Sequence, residues 1–261
     1  MFSKALGSSV LLESGALKNV VRSGSVGDYW ARSTARVLFP YDVAGTTATL
    51  IDIDALAERY PHVVEYLKLN RIALEGREHG AFKDKRWHRF GRSQNLGCWE
   101  QPKILVPYMV PRLCAYCDLD DSYYFINVTT GGYGLTVNSA QVPLEYVCAL
   151  MNNPALDFFL KRISTTFRGG YYAANKQYIE RLPISAADTR SARHARQDIA
   201  EAVRELQRLK KRRLVNLLPD DRSNLEREAA VRQHQIDRLV YDLYDLTDDD
   251  IALVEDSVPP A

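Results

Sequence analysis

The sequence predicts an α+β chain: a mixed α/β domain over residues 1–187, then an antiparallel α-helical hairpin and a short terminal helix over 188–261. Three observations carry this. Up to Pro183, short β-branched or aromatic runs alternate with helical-period stretches and are cut by glycine and proline. Beyond it, residues 191–218 and 225–246 each place apolar residues at helical spacing with charge elsewhere. Between those two stretches, Pro219-Asp220-Asp221 reads as a turn short enough to fold the second back along the first.

The elements follow in order. Residues 11–21 read as a short helix or strand, closed by a turn at Ser23-Gly24-Ser25. Residues 37–41 form a strand ended by proline, and the β-branched run 46–53 a second strand. A helix starts at 54 under Asp52 or Asp54 as cap; Tyr60-Pro61 interrupts it, and Pro61 opens the next at its first turn, over 62–78. Residues 103–109 are a nearly continuous apolar run, hence a buried strand. Residues 122–128 are another strand, Gly131-Gly132 a turn, and 134–137 a brief strand. Residues 144–163 are an amphipathic helix split at Asn153-Pro154. Ile199, Val203, Leu206 and Leu209 line the first hairpin helix; Val231, Ile236, Leu239, Val240 and Leu243 line the second. Thr247-Asp248-Asp249-Asp250 caps the last helix.

With 46% hydrophobic and 26% charged residues, the chain can build a sizeable core. No apolar run approaches the roughly 20 residues needed to span a bilayer, and the N-terminus has no secretory h-region, so a cytoplasmic location and no membrane partner are expected. Cys98, Cys114, Cys117 and Cys148 show no repeated pairing and are expected as free thiols. The net charge of +1 conceals an asymmetry. Residues 83–112 carry seven Lys/Arg against two acids, 188–218 nine against four, and 219–261 four against twelve. Local charge decides what a surface attracts, and two basic segments suit a nucleic-acid contact face.

Catalytic signatures are missing from the sequence. There is no glycine-rich cofactor loop after a strand, no P-loop and no nucleophile elbow. Asn153-Pro154-Ala155 lacks the second proline and the aromatic that a flipped-adenine pocket needs. The five histidines show no ligand spacing, and Cys114-Ala115-Tyr116-Cys117 lacks two further zinc ligands. Glu100 and Lys103 echo a nuclease site only loosely, without an upstream carboxylate. No catalytic, cofactor-binding or metal-binding residue is assigned.

Two segments carry binding chemistry. In the first, Lys83, Lys85, Arg86, Arg89 and Arg92 are interleaved with Trp87 and Phe90 and followed by Gln94 and Asn95. Lys and Arg supply phosphate contacts; Arg, Gln and Asn can also bond base edges bidentately. His88 lies in the same stretch, where it could meet a phosphate. Gln94 and Asn95 suit base edges or structural turns equally. The second segment packs Thr165, Thr166, Arg168, Tyr171, Tyr172 and Lys176 around Gly169-Gly170, which lets the backbone approach a ligand closely or take positive φ. Its plain alternative is a tight turn with the tyrosines packed inward. Arg22 and Ser25 form a weaker third group, and Lys210-Lys211-Arg212-Arg213 reads as a solvated helix end.

The order of several motifs resembles the target recognition domain of adenine-N6 DNA methyltransferases of the Taq-type and type IIG restriction–modification family. The stretch 87–107, WHRFGRSQNLGCWEQPKILVP, has the family's aromatic, its Arg-Ser-Gln trio and the EQPKI lead into a strand. Residues 17–29 resemble the segment that opens the domain, with Asn19 where proline is common. Tyr60-Pro61 with Tyr66-Leu67, then Tyr123-Tyr124 with Asn127, the helix around Asn152-Asn153, and Gly169-Gly170-Tyr171-Tyr172 through Pro183 follow in order. Residues 239–247, LVYDLYDLT, resemble the stretch seen after such domains.

The resemblance implies a DNA-reading specificity domain followed by a helical spacer, with double-stranded DNA as partner. It implies that the S-adenosylmethionine-binding methyltransferase, and any nuclease, lie outside this chain, in cis or in trans. Two other readings stay open. One is half of a type I-like specificity subunit that recruits a separate methyltransferase and forms a homodimer through the hairpin. The other is a stand-alone metal-dependent nuclease.

Overall fold

The computed structural model describes residues 1–33, 35–120, 123–125, 127–186, 189–214 and 218–257. The chain is α+β, and its contacts divide it into two compact units that each draw on separated stretches. One unit takes residues 1–20, 35–101 and 121–124; the other takes 21–34, 102–120 and 125–261. The break expected between 187 and 188 lies outside the described residues.

In the first unit, Leu17–Val21 pairs antiparallel with Ala35–Leu38. Residues 11–21 therefore resolve as a strand after a short 3-10 turn, Ser14–Ala16. The expected strand 37–41 is two. Ala35–Leu38 stops before Phe39-Pro40, and Tyr41–Ala44 starts a hairpin with Thr47–Leu50. Proline connects the strands because it cannot donate to a ladder. The helix Ile53–Arg59 is capped by Asp52, whose carboxylate accepts the Asp54 N–H at 3.0 Å. Pro61 then opens Pro61–Leu69 at its first position. Apolar faces of both helices bury Leu56, Val63, Val64 and Leu67 with Trp87.

The second unit centres on a three-stranded antiparallel sheet, with Lys103–Pro107 between Tyr116–Asp118 and Gly132–Leu135. The central strand is buried along its whole length. Its Lys103 ammonium and the Asp118 carboxylate lie directly across the ladder, 2.8 Å apart and both nearly inaccessible. Gly132 begins its strand rather than the expected turn; a Cβ there would sit 1.9 Å from the Val106 carbonyl oxygen. The expected 144–163 helix is split as read, into Leu144–Asn152 and Pro154–Ile163. Asn153 caps the second piece by accepting the Ala155 N–H.

The hairpin helices are Arg190–Arg213 and Pro219–Leu243. The pairs Arg213–Glu226 and Arg232–Glu205 show that they run antiparallel. Both bury their apolar stripes with the 144–152 helix in one core, except that Val231, expected in the second stripe, is exposed because it falls on the solvent side of its helix. Thr247 and Asp250 form the reciprocal cap of Asp248–Asp256.

Side chains also close the exposed edge of the sheet. Asn152 is fully buried; its carbonyl accepts the Ala115 N–H and its amide donates to the Ala115 carbonyl, each at 2.9 Å. Two residues on, Gln207 does the same to Cys117, at 3.0 and 2.9 Å. These amides satisfy backbone groups that an edge strand would otherwise leave open.

Candidate nucleic-acid interface

The basic segment forms an irregular loop of the first unit, entered through a left-handed turn. Glu78, His79 and Gly80 have φ of 47°, 59° and 89°. Two arginines then enclose one ring. The Arg77 and Arg89 guanidinium carbons lie 4.1 and 4.4 Å from the centroid of buried Phe82. Arg77 donates to the Trp87 and Arg89 carbonyls, so it holds the loop's far end. Arg89 donates to the Asp84 carboxylate at 2.6 Å and to the Ala81 and Arg86 carbonyls. That bond from Arg89 is the main reason the Asp84 carboxyl titrates below the usual range.

This bracing sorts the candidates. Lys83, Lys85, Arg86, Arg92, Gln94 and Asn95 are exposed, whereas the Arg89 guanidinium is engaged within the loop. Asn95 is left-handed, at φ 58°, and starts the 3-10 turn Leu96–Glu100, so its backbone does turn work while its side chain stays exposed. His88 corrects the expectation of a phosphate contact. It is buried, with Nε2 at 2.9 Å from the Ile51 carbonyl oxygen. Trp87 and Phe90 pack into the unit rather than facing solvent as free stacking rings.

The second segment is a β-hairpin of the other unit. Thr166–Phe167 pairs with Tyr171–Ala173, which pairs in turn with Met109–Val110. Its three-residue tip is Arg168-Gly169-Gly170, with φ of 86° and 76° at the two glycines. A Cβ on Gly170 would meet nothing within 4 Å, so the tip needs these glycines for conformation and not for packing. Phe167 and Tyr171 are directly opposite one another and thus share a face. They are 37% and 41% exposed, a large apolar area to leave in water beside Arg168. Tyr172 lies on the other face, half-buried under the Lys161 ammonium. Thr165 is exposed and shares a hydrogen bond with the Tyr178 hydroxyl; Thr166, Arg168 and Lys176 are exposed. The inward-tyrosine alternative therefore holds for Tyr172 and fails for Tyr171. Phe167 was missed; its signal was the alternation across a Gly-Gly turn.

The remaining expectations resolve locally. Arg22 is exposed, but Ser25 is buried, its hydroxyl donating to the Arg22 carbonyl and accepting the Arg22 N–H. Glu100 pairs with Lys18 in one unit, and Lys103 with Asp118 in the other. All four cysteines are free, and burial pushes the Cys114 and Cys117 thiols well up. Lys210 is not a solvated helix end: its ammonium donates to the Asp28 carbonyl at 2.9 Å.

Residues 64–184 match the TaqI-like C-terminal specificity domain family. That match includes both candidate segments and ends before the helical hairpin. The chain is also 25% identical, over 232 residues, to the type II restriction enzyme and methyltransferase RM.Eco57I of Escherichia coli. That similarity covers 84% of this chain and 23% of the relative, so the chain spans about a quarter of the relative's length. Among the described residues, no helix is long and apolar enough to cross a membrane.

Proposed function

We propose that the chain reads double-stranded DNA as the specificity domain of a restriction–modification adenine-N6 methyltransferase and contributes no catalytic group. The observation that carries this is the division of labour in the 83–95 loop. Arg77 and Arg89 are spent on Phe82 and on backbone carbonyls, and so hold Lys83, Lys85, Arg86, Arg92 and Gln94 outward. Loop residues of a nucleic-acid reader sort into positioning and reading, and a braced loop presents both without losing much entropy on binding. The Arg168-Gly169-Gly170 tip supplies a second reading element, with Lys176 near its base.

On this reading the methyltransferase, with its S-adenosylmethionine, lies in the part of the enzyme that this chain does not cover, and extrudes the adenine while the domain holds the duplex. The relative combines restriction and methyltransferase activities in one longer chain, which favours an arrangement in cis. Such a protein acts on DNA in the cytoplasm.

Selection of a random duplex library at two salt concentrations tests the reading. A short enriched motif containing adenine is expected; retention without any motif would overturn sequence reading by this chain. Arg92→Ala should weaken cognate binding more than binding to a scrambled duplex, and equal losses would make Arg92 a phosphate contact. Lys85→Ala should reduce the salt slope by about one unit.

A further inference from the structure

Where the Arg190–Arg213 helix ends, a cleft of about 430 Å³ opens in the second unit, lined by Ser25, Trp30, Arg32, Lys210 and Arg213. Three cations on one cleft repel one another unless something offsets them. What offsets them here is meagre. The Lys210 ammonium has a neutral carbonyl, that of Asp28, and the face of Tyr29 at 5.3 Å. The Asp28 carboxylate itself lies with Arg112 at 3.3 Å. Burial, before the opposing pull of Asp28, lowers the Lys210 affinity for its proton, so the charged form is under-compensated. Arg213 meets Glu226 at 3.4 Å, but both are about half exposed, and such pairs contribute little. Arg32 is exposed and forms no ion pair among the described residues. The Trp30 indole is held against Gly27, where a Cβ would lie 2.5 Å from its Nε1. The cleft thus combines a fixed indole wall with more positive charge than the described residues neutralise.

We propose that this cleft is a phosphate-binding site, separate from the two reading loops, with Arg32, Lys210 and Arg213 as its cationic donors. Phosphate fits better than carboxylate because several cations lining one cleft can serve its three or more acceptor oxygens. The group can come from the backbone of the duplex or from a free nucleotide; the first source rests on the DNA-binding reading above.

The experiment compares the wild-type chain with Arg32→Ala/Arg213→Ala and with Arg168→Ala. Arg32 and Arg213 are surface side chains, so the double variant should melt like the wild type. Each protein is titrated with a duplex of arbitrary sequence over a salt series and, separately, with pyrophosphate followed by tryptophan emission. One backbone phosphate held in the cleft predicts a salt slope shallower by about one unit in the double variant, and a saturable pyrophosphate response that the double variant loses and Arg168→Ala keeps. A pyrophosphate response lost in the double variant, with an unchanged duplex slope, assigns the site to a free nucleotide instead. A duplex slope and a pyrophosphate response both equal to wild type would overturn the site while leaving the DNA reading intact. If the wild type shows no salt-dependent duplex binding, the DNA reading fails, and the pyrophosphate titration alone decides the cleft.

Discussion

Arg89 and Arg92 sit in one basic run and do different work. Arg89 stacks on Phe82 and donates to Asp84, Ala81 and Arg86, whereas Arg92 is exposed. A stacked guanidinium and its hydrogen bonds together contribute about 1–2 kcal/mol. Arg89→Ala should therefore lower the unfolding free energy of its unit by that amount in a denaturant titration, and Arg92→Ala should leave the midpoint where it is. Equal midpoints for both variants would refute the bracing role. Composition made the basic-aromatic segment legible, but not this division, because it depends on Phe82, which lies outside the run of charges and becomes a brace only after folding. His88 shows the same limit. Arg86 and Arg89 lie close to it along the chain, while in space its Nε2 meets the carbonyl of Ile51, 37 residues away.

At the scale of elements, local signals were enough wherever the chain carries its own stop. Asn153-Pro154 splits one helix, Pro61 opens another, and Thr247 with Asp250 starts the last. Strands that exist through distant partners were harder. Tyr116–Asp118 is three residues long and forms through pairing with Lys103–Pro107 and through the side chain of Gln207. Tyr41–Ala44 follows a proline and needs its hairpin partner to be seen. The Asn152-Asn153 pair that marked the family resemblance is structural: one residue binds the Ala115 backbone and the other caps a helix. Asn152→Ala removes two hydrogen bonds to a buried backbone position and leaves a small cavity. We expect a loss of about 2–4 kcal/mol in chemical denaturation, with duplex binding preserved below the new midpoint. A loss under 0.5 kcal/mol, the range of ordinary surface substitutions, would show that water replaces the amide at no cost.

The second unit as a whole gathers residues 21–34 and 102–120 with the C-terminal half of the chain, an arrangement no shift of composition along the sequence announces. Asp237, on the second hairpin helix, carries one consequence. It is buried, accepts the Asn153 amide at 3.0 Å and lies beside Gln233, and burial raises its pKa from 3.8 to about 6. The folded state thus holds the proton more tightly than the unfolded chain. The stability this group contributes is complete below about pH 4 and is lost as pH rises through 6, on the order of 3 kcal/mol. Asp237→Asn keeps an acceptor for Asn153 and cannot ionise. It should raise the melting temperature at pH 7.5 and match the wild type near pH 4; a variant less stable at both pH values would contradict this account.

The Lys103–Asp118 pair has a bearing on how that unit finds its fold. The two charges are compensated in one alignment of the 103–107 and 116–118 strands, the one in which they stand directly across the ladder. A slip by one residue turns one of them to the other side of the sheet and strands a lone ammonium or carboxylate in the interior, at a cost of several kcal/mol. The apolar residues between them, Ile104, Leu105 and Val106, would accept either alignment with little preference. The ion pair therefore acts as a key that fits one lock: a closed unit with a misaligned sheet would hold a buried charge without its partner.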